Sequence, residues 1–437
     1  MSFLALDQRL GQRTYYADTA EPAEPQAPLQ GTQQADVAVV GGGLAGLSAA
    51  IELAQLGFQV SVLEARQVGW GPSGRNGGQV IAGLACDMAT IEHQLGAAPA
   101  RAVWDSTLEA IDLIHQRCER FGIDAQWQPG FISVAVGARK GRALQHSVDH
   151  MAQRYGHVQR WIAPEHIRQW VDSPAYHSGA HDPRSGHLHP LRYTLGLARA
   201  ARSLGVRLHE QSPVRALERG GVNRLRTDQG ELRARQVVLA GNVYLQDLAP
   251  VLARRILPVA SNILCTAPMD PQRLQALIPS RSAVCDTNHV LDYFRPTADH
   301  RLLFGARVRH RPQQPGHLAQ QLRARLLSRF PTLADVPTSH VWGGFVDATM
   351  NRAPDFGRLP GRMGEPENVY HLQGFSGHGV ALSGLAGRLV AQAVAGDAAR
   401  FDVFARLRHR PFPGGVRLRA PTLALGMAWY RLRDALG

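Results

Sequence analysis

The sequence predicts an α/β protein in which a doubly wound, Rossmann-type parallel sheet carries a second, α+β domain built on an antiparallel sheet. Three observations predict it. A strand, a glycine turn, a helix and a second strand follow one another within residues 36–63. Apolar strands return at 206–209, 236–240 and 369–372, the last leading into another glycine turn and helix. Between these, residues 261–267 and 302–308 alternate polar and apolar side chains as the strands of an antiparallel sheet do.

Taken in order, Glu21, Pro22, Pro25 and Pro28 mark an extended arm, and ordered structure is expected to begin near Asp36. Residues 36–40 form a short apolar strand, 44–56 have helical spacing closed by Gly57, and 58–63 form the second strand. Helices are expected at 100–121, at 190–204, where Pro190 suits a helix start, at 313–330 and at 380–395. A strand is expected at 130–136 and another at 224–227. This divides the chain into an arm (1–35), a discontinuous dinucleotide-binding domain (36–90, 185–250 and 350–400), a second domain (91–184 and 251–349) and a basic tail (401–437).

A chain of 437 residues exceeds what one core supports, and 44% hydrophobic with 19% charged residues is globular composition. No apolar run approaches the roughly 20 residues of a membrane helix. The first eleven residues carry Asp7 and Arg9 and no secretory pattern, so the cytoplasm is the expected location. Cys86, Cys118, Cys265 and Cys285 are scattered, as reduced core thiols are. The net charge of +13 is almost entirely arginine, Lys140 being the only lysine, and it is spread evenly. Spread charge argues against a nucleic-acid partner. His181, His187 and His189 alternate along one strand, but no cysteine or carboxylate accompanies them at ligand spacing, so no metal is expected. The tail at 417–433 sets Leu, Trp and Tyr between arginines, a pattern compatible with peripheral membrane contact.

Gly41, Gly43 and Gly46 form Gly-x-Gly-x-x-Gly between strand and helix. Gly41 permits the tight turn, Gly43 lets the backbone approach a pyrophosphate, and Gly46 lets helix pack on strand. Leu44 and Ala45 begin the helix, whose N-terminus favours anions. Glu64, at the end of the second strand, can accept from ribose hydroxyls and repels the 2′-phosphate of NADP; Ala65 and Arg66 follow it. This unit alone leaves FAD and NAD both open.

Residues 68–78 supply Gly71, Ser73, Gly74, Arg75, Asn76, Gly77 and Gly78, followed by Gln79, a permissive run suited to wrapping a further ligand segment. Gly374, Ser376, Gly377, His378, Gly379 and Val380 form a second glycine turn before a helix. Its N-terminus faces an anionic group, and His378 is a candidate for direct contact.

These blocks, together with residues 14–20, 186–190, 236–244 and 401–415 (the last holding Arg410-Pro-Phe-Pro-Gly-Gly415), resemble the D-amino-acid-oxidase-like family of FAD-dependent amine oxidoreductases. The two terminal segments point to the branch acting on gamma-glutamylputrescine. The resemblance implies FAD on a glutathione-reductase-like domain interleaved with a substrate domain. It implies that Val214 contacts adenine, that Gly241 and Asn242 close over the cofactor, and that residues 354–357 run near the flavin. A small amine would give hydride to flavin N5, and the imine would be hydrolysed. The first-choice substrate is gamma-glutamylputrescine or a related polyamine derivative; glycine, sarcosine or a D-amino acid is the alternative. A flavin-binding electron-transfer or tRNA-modifying component is the reading from another class. Oxygen or a respiratory carrier would reoxidise the flavin, but some sarcosine-oxidising relatives activate oxygen with a lysine near the flavin, which Lys140 is badly placed to match. His378, Trp342, Tyr293 and Arg352 are the candidate catalytic residues, with residues 342–352 and 292–293 expected to line the substrate cavity. For the alternative substrates, glycine, sarcosine or a D-amino acid, Arg352 or Arg307 would clamp the carboxylate.

Overall fold

Apolar strands gather into two sheets, which the computed structural model describes over residues 13–306, 315–361 and 367–415, with isolated positions at 4, 7, 418, 421, 426 and 429. Residues 37–40 and 60–63 are buried at nearly every position instead of alternating, as strands covered on both faces must be. Gly31–Val40 pairs in parallel with Gly230–Leu239 on one side and Val60–Leu63 on the other. Arg207–His209 extends the sheet beyond Val60–Leu63, and Val369–Gln373 extends it beyond Gly230–Leu239, both in parallel. Asp355–Arg358 closes that edge antiparallel.

Order begins earlier than Asp36. The first strand starts at Gly31 because Gly230–Leu239 offers a partner as long as itself, and Gly31 pairs with Gly230. The arm before it also carries structure: the Thr14 hydroxyl accepts from the Ala17 N–H at 3.0 Å and starts the helical turn Tyr15–Thr19. Tyr15 and Tyr16 are buried.

Helices Leu44–Gln55 and Gly379–Val394 cover one face of this sheet with Ala97–Phe121 and Pro190–Ser203 packed behind them, enclosing the largest apolar cluster. The first two cross so closely that a Cβ on Gly387 would stand 2.5 Å from the Ala49 nitrogen. His189 caps Pro190–Ser203, its side chain accepting from the Arg192 N–H.

Among the described residues the second sheet has nine strands: eight run in order from Thr338–Thr349 through Ile256–Thr266, Leu302–Ala306, Asp292–Pro296, Ala283–Asp286, Gln128–Ala135 and Ser178–His187 to Gln79–Val80, and Arg160–Ile162 also pairs with Ser178–His187. It departs from a purely antiparallel expectation at one place, where Ala283–Asp286 runs parallel to Gln128–Ala135. Those strands come from distant parts of the chain, so no hairpin dictates their direction. Gln79–Val80 and residues 185–187 join this sheet although both fall in segments expected in the dinucleotide-binding domain. Helix Pro315–Arg329 packs over a core that includes Phe294, Phe304, Leu322 and Phe330.

Among the described residues no single helix is long and apolar enough to cross a membrane. Of the basic tail, residues 401–415 are described, whereas most of the arginine-rich stretch 417–433, and Arg307, lie outside the described residues.

Candidate active site

A cavity of about 550 Å³ opens where the parallel sheet's strands end and the second sheet begins. At one end stands the first glycine turn. Gly41 has φ +113°, and a Cβ there would lie 2.7 Å from the Ala240 oxygen. A Cβ on Gly43 would lie 2.6 Å from Ser73 Oγ, and one on Gly46 only 2.0 Å from the Gly41 oxygen. Gly41, Gly43, Leu44 and Ala45 line the cavity; Gly46 faces inward, where it seats helix on strand. Half-buried Glu64 and Ala65 also line it, whereas Arg66 does not. Glu64 accepts from the Gly42 N–H at 2.7 Å and the Arg66 N–H at 2.8 Å. Burial pushes its carboxyl up despite those bonds. Val214 lies on the same wall.

Residues 72–79 form the next wall. Pro72–Arg75 is a single helical turn. Ser73 Oγ accepts from the Leu44 N–H at 3.0 Å, which ties this loop to the first turn. Asn76 is a clasp: its Nδ2 donates to the Pro72 and Ser73 oxygens at 3.0 Å each, and its Oδ1 accepts from the Gly78 N–H at 2.7 Å. Gly71, Ser73, Arg75, Asn76, Gly77 and Gln79 line the cavity, while Gly74 and Gly78 turn away against the Gly69 and Leu188 oxygens. Arg75 is held by Asp7, by the Gly343 oxygen at 3.2 Å and over the Trp70 ring at 4.7 Å. Asp7, which also accepts from Tyr244, is a partner that sequence reasoning left in the arm.

Gly241 and Asn242 line the floor, Asn242 at φ +53°. Opposite stands the second glycine turn. Ser376, Gly377, His378, Gly379 and Val380 line the cavity, whereas Gly374 packs against Asp355 and Thr349. Asp347 holds this turn, its carboxylate accepting from the Gly374 N–H at 2.6 Å. Burial pushes the Asp347 carboxyl up to about 7. His378 begins helix Gly379–Val394; burial and then the Arg352 charge lower it to about 4, so its ring is neutral at physiological pH. Its Nδ1 and the Oγ of cavity-lining Ser383 are buried without hydrogen-bond partners among the described residues. Ser383 stands about one helical turn beyond Gly379, and only the helix phase, known once that helix is placed, reveals it.

Of the other candidates, Tyr293 lines the cavity beside Gly77, its hydroxyl 3.0 Å from Ser261 Oγ. Arg352 lines it too, half-buried and at φ +60°. Among the described residues no acceptor bonds its guanidinium. Trp342 is 1% exposed and lies behind residues 72–79, where its indole N–H donates to the Arg75 oxygen at 2.9 Å. Asp292 points to the sheet's far face, paired with Arg325 and Arg329. Lys140 bonds Asn288 and is not on the cavity wall. His187 and His189 have protein partners, Arg281 O and Arg295 for the first, Thr19 and Arg192 N–H for the second.

The donor set suits an elongated dinucleotide: a glycine cradle with no room for Cβ atoms, a carboxylate beside it, and orphaned polar atoms at the opposite end. The family model described as FAD dependent oxidoreductase (DAO) matches residues 36–393. The chain is 40% identical over 97% of its length, and 98% of the relative's, to gamma-glutamylputrescine oxidoreductase of Escherichia coli (strain K12). It is 37% identical to probable oxidoreductase OrdL of Haemophilus influenzae, covering 97% of both chains. Among solved structures, glycine oxidase of Geobacillus kaustophilus shares the fold with a TM-score of 0.69 at 23% identity, covering 86% of this chain and 99% of that one. The chain belongs to the DAO family of FAD-dependent oxidoreductases, and FAD is its cofactor.

Proposed function

We propose that this FAD-dependent amine oxidoreductase acts on gamma-glutamylputrescine or a closely related polyamine derivative. The observation that carries the reading is the cavity-lining Arg352 guanidinium, which no acceptor bonds among the described residues and which calls for an anionic group on the substrate. Gamma-glutamylputrescine offers a carboxylate, as glycine and sarcosine do, whereas putrescine does not; Arg352 therefore disfavours a bare polyamine, and the choice among the carboxylates rests on the relatives. The near full-length relation to an enzyme named for that substrate supports the same choice.

Residues 41–46 and the helix behind them would hold the pyrophosphate, Glu64 the ribose and Val214 the adenine. Residues 72–79 and 374–380 would hold the ring, with the two expected domains on either side of it. FAD held there would supply a two-electron acceptor for hydride from the carbon bearing the amine, and the imine so formed would be hydrolysed by water. Arg352 fixes the substrate's carboxylate, so the amine end is presented in one orientation. Tyr293 packs over Gly77 and shapes the wall where the reacting carbon sits. His378, lowered to about 4 by burial and the Arg352 charge, adds no positive charge of its own at the cavity wall, and these poorly solvated surroundings next to Arg352 disfavour an ammonium and so favour the neutral amine that hydride loss requires. Reoxidation by oxygen or a respiratory carrier and a cytoplasmic location complete the reading.

The test is anaerobic bleaching of the flavin band against gamma-glutamylputrescine, putrescine, sarcosine and glycine. Rapid bleaching by the first is expected. Bleaching by glycine and by no polyamine derivative overturns the proposal.

A further inference from the structure

Beneath residues 72–79 lies a guanidinium with no carboxylate. Arg295, on strand Asp292–Pro296, is 4% exposed. Its Nε donates to the Gly77 oxygen at 2.7 Å, its Nη2 to the Tyr16 hydroxyl at 3.1 Å and its Nη1 to the Pro296 oxygen at 3.3 Å. Nη1 also lies 3.4 Å from His187 Nδ1. All four partners are neutral, since burial and the Arg295 charge lower His187 to about 3.

Nearby charges do not compensate it. Arg281 adds to the positive field at His187. Asp299, the acid on the Tyr15 side, is engaged by the Tyr15 hydroxyl, the Thr297 hydroxyl and Arg301. Among the described residues Arg295 forms no ion pair. A buried cation without a counter-ion is costly, and its field is weakly screened. The fold nonetheless presses backbone against it: Gly78 sits at φ +72°, where a Cβ would stand 3.0 Å from Nη2. The Gly77 backbone it holds is part of the cavity wall.

We propose that Arg295 is a positioning residue that fixes the Gly77 backbone and raises the reduction potential of the FAD, its uncompensated charge favouring the reduced, anionic cofactor. This rests on the placement of the ring against residues 72–79. Tyr16 belongs to the same brace: it accepts from Arg295 and packs edge-on against Trp342 at 5.3 Å, and Trp342 in turn holds the Arg75 oxygen. The buried turn of the N-terminal arm therefore stiffens the loop from behind.

The experiment is the reduction potential of the holoenzyme, read by dye equilibration without oxygen. Arg295→Met should make reduction about tenfold less favourable, a fall of about 30 mV for two electrons. Arg295→Lys, which keeps the charge, should stay within about threefold of wild type. His187→Asp places a carboxylate beside the intact Arg295 and should lower the potential as Arg295→Met does; it decides alone if Arg295→Met does not retain FAD. Gln79→Glu adds a charge on the cavity wall itself and serves as the position control. If Gln79→Glu lowers the potential while Arg295→Met and His187→Asp leave it unchanged, the role of Arg295 is refuted and the ring placement stands. If none of the three moves it, the ring placement falls as well.

Discussion

At residues 41–46 the cavity is bounded by backbone, while at 374–380 it is bounded by side chains whose ionisation the fold has altered. The first end has glycines packed within 3 Å of neighbouring atoms and a strand-to-helix turn repeated wherever a pyrophosphate must be approached. The second has His378 lowered to about 4, Asp347 raised to about 7 and an Arg352 guanidinium that no acceptor bonds among the described residues. The contrast teaches that holding a cofactor needs shape, whereas selecting and reacting a substrate needs charges placed in a poorly solvated space.

Four substitutions test that contrast. The largest effect is expected at the backbone end. Gly46→Val puts a Cβ 2.0 Å from the Gly41 oxygen and should cut FAD affinity by on the order of a hundredfold, read as loss of the 450 nm band after purification. A variant that stays yellow removes the steric account.

At the other end, Arg352→Gln should raise KM for gamma-glutamylputrescine by roughly tenfold to a hundredfold, about 1.5–3 kcal/mol for a charged hydrogen bond, with kcat changed far less. An equal fall in kcat at unchanged KM would move Arg352 from binding to chemistry.

Asp347→Asn separates charge from shape. A carboxyl whose folded pKa is raised keeps its proton in the folded protein after the unfolded chain has lost it, so its contribution to stability declines as pH rises from about 4 towards about 7. The Asn variant lacks that titration. Its Tm relative to wild type should therefore climb across this range; a constant difference would show that Asp347 ionises as an ordinary carboxylate. The smallest change is expected from Tyr293→Phe, which removes a neutral hydrogen bond to Ser261 and should lower kcat/KM by about fivefold, near 1 kcal/mol.

The two ends also differ in how much of them could be read from sequence. The phosphate end is local: strand, turn, helix and acid lie within residues 36–64, and each glycine has its reason inside that span. The 72–79 loop and the 374–380 turn were legible as glycine-rich segments, because only permissive backbone makes such turns. Which of their side chains face the ligand was not. Trp342 looked like a cavity residue because it is aromatic and sits on a strand of the second domain, yet strand alternation and the buried Tyr16 turn it towards residues 72–79 from behind. Asp7, Tyr16, Arg295 and Ser383 carried no local signal at all. Their partners, Arg75, Arg295, Gly77 and the cavity itself, lie far along the chain.

By itself the sequence determined the doubly wound sheet and the dinucleotide turn, since these follow from periodicity and from glycines acting on neighbours a few residues away; the choice of FAD over NAD came from the family resemblance. Only the tertiary structure decided that one buried arginine would meet no acid, that another would face an open cavity, and that an aspartate between them would hold its proton near neutrality. Charge in a folded chain is set by which distant groups share its low-dielectric surroundings, and no local pattern encodes that.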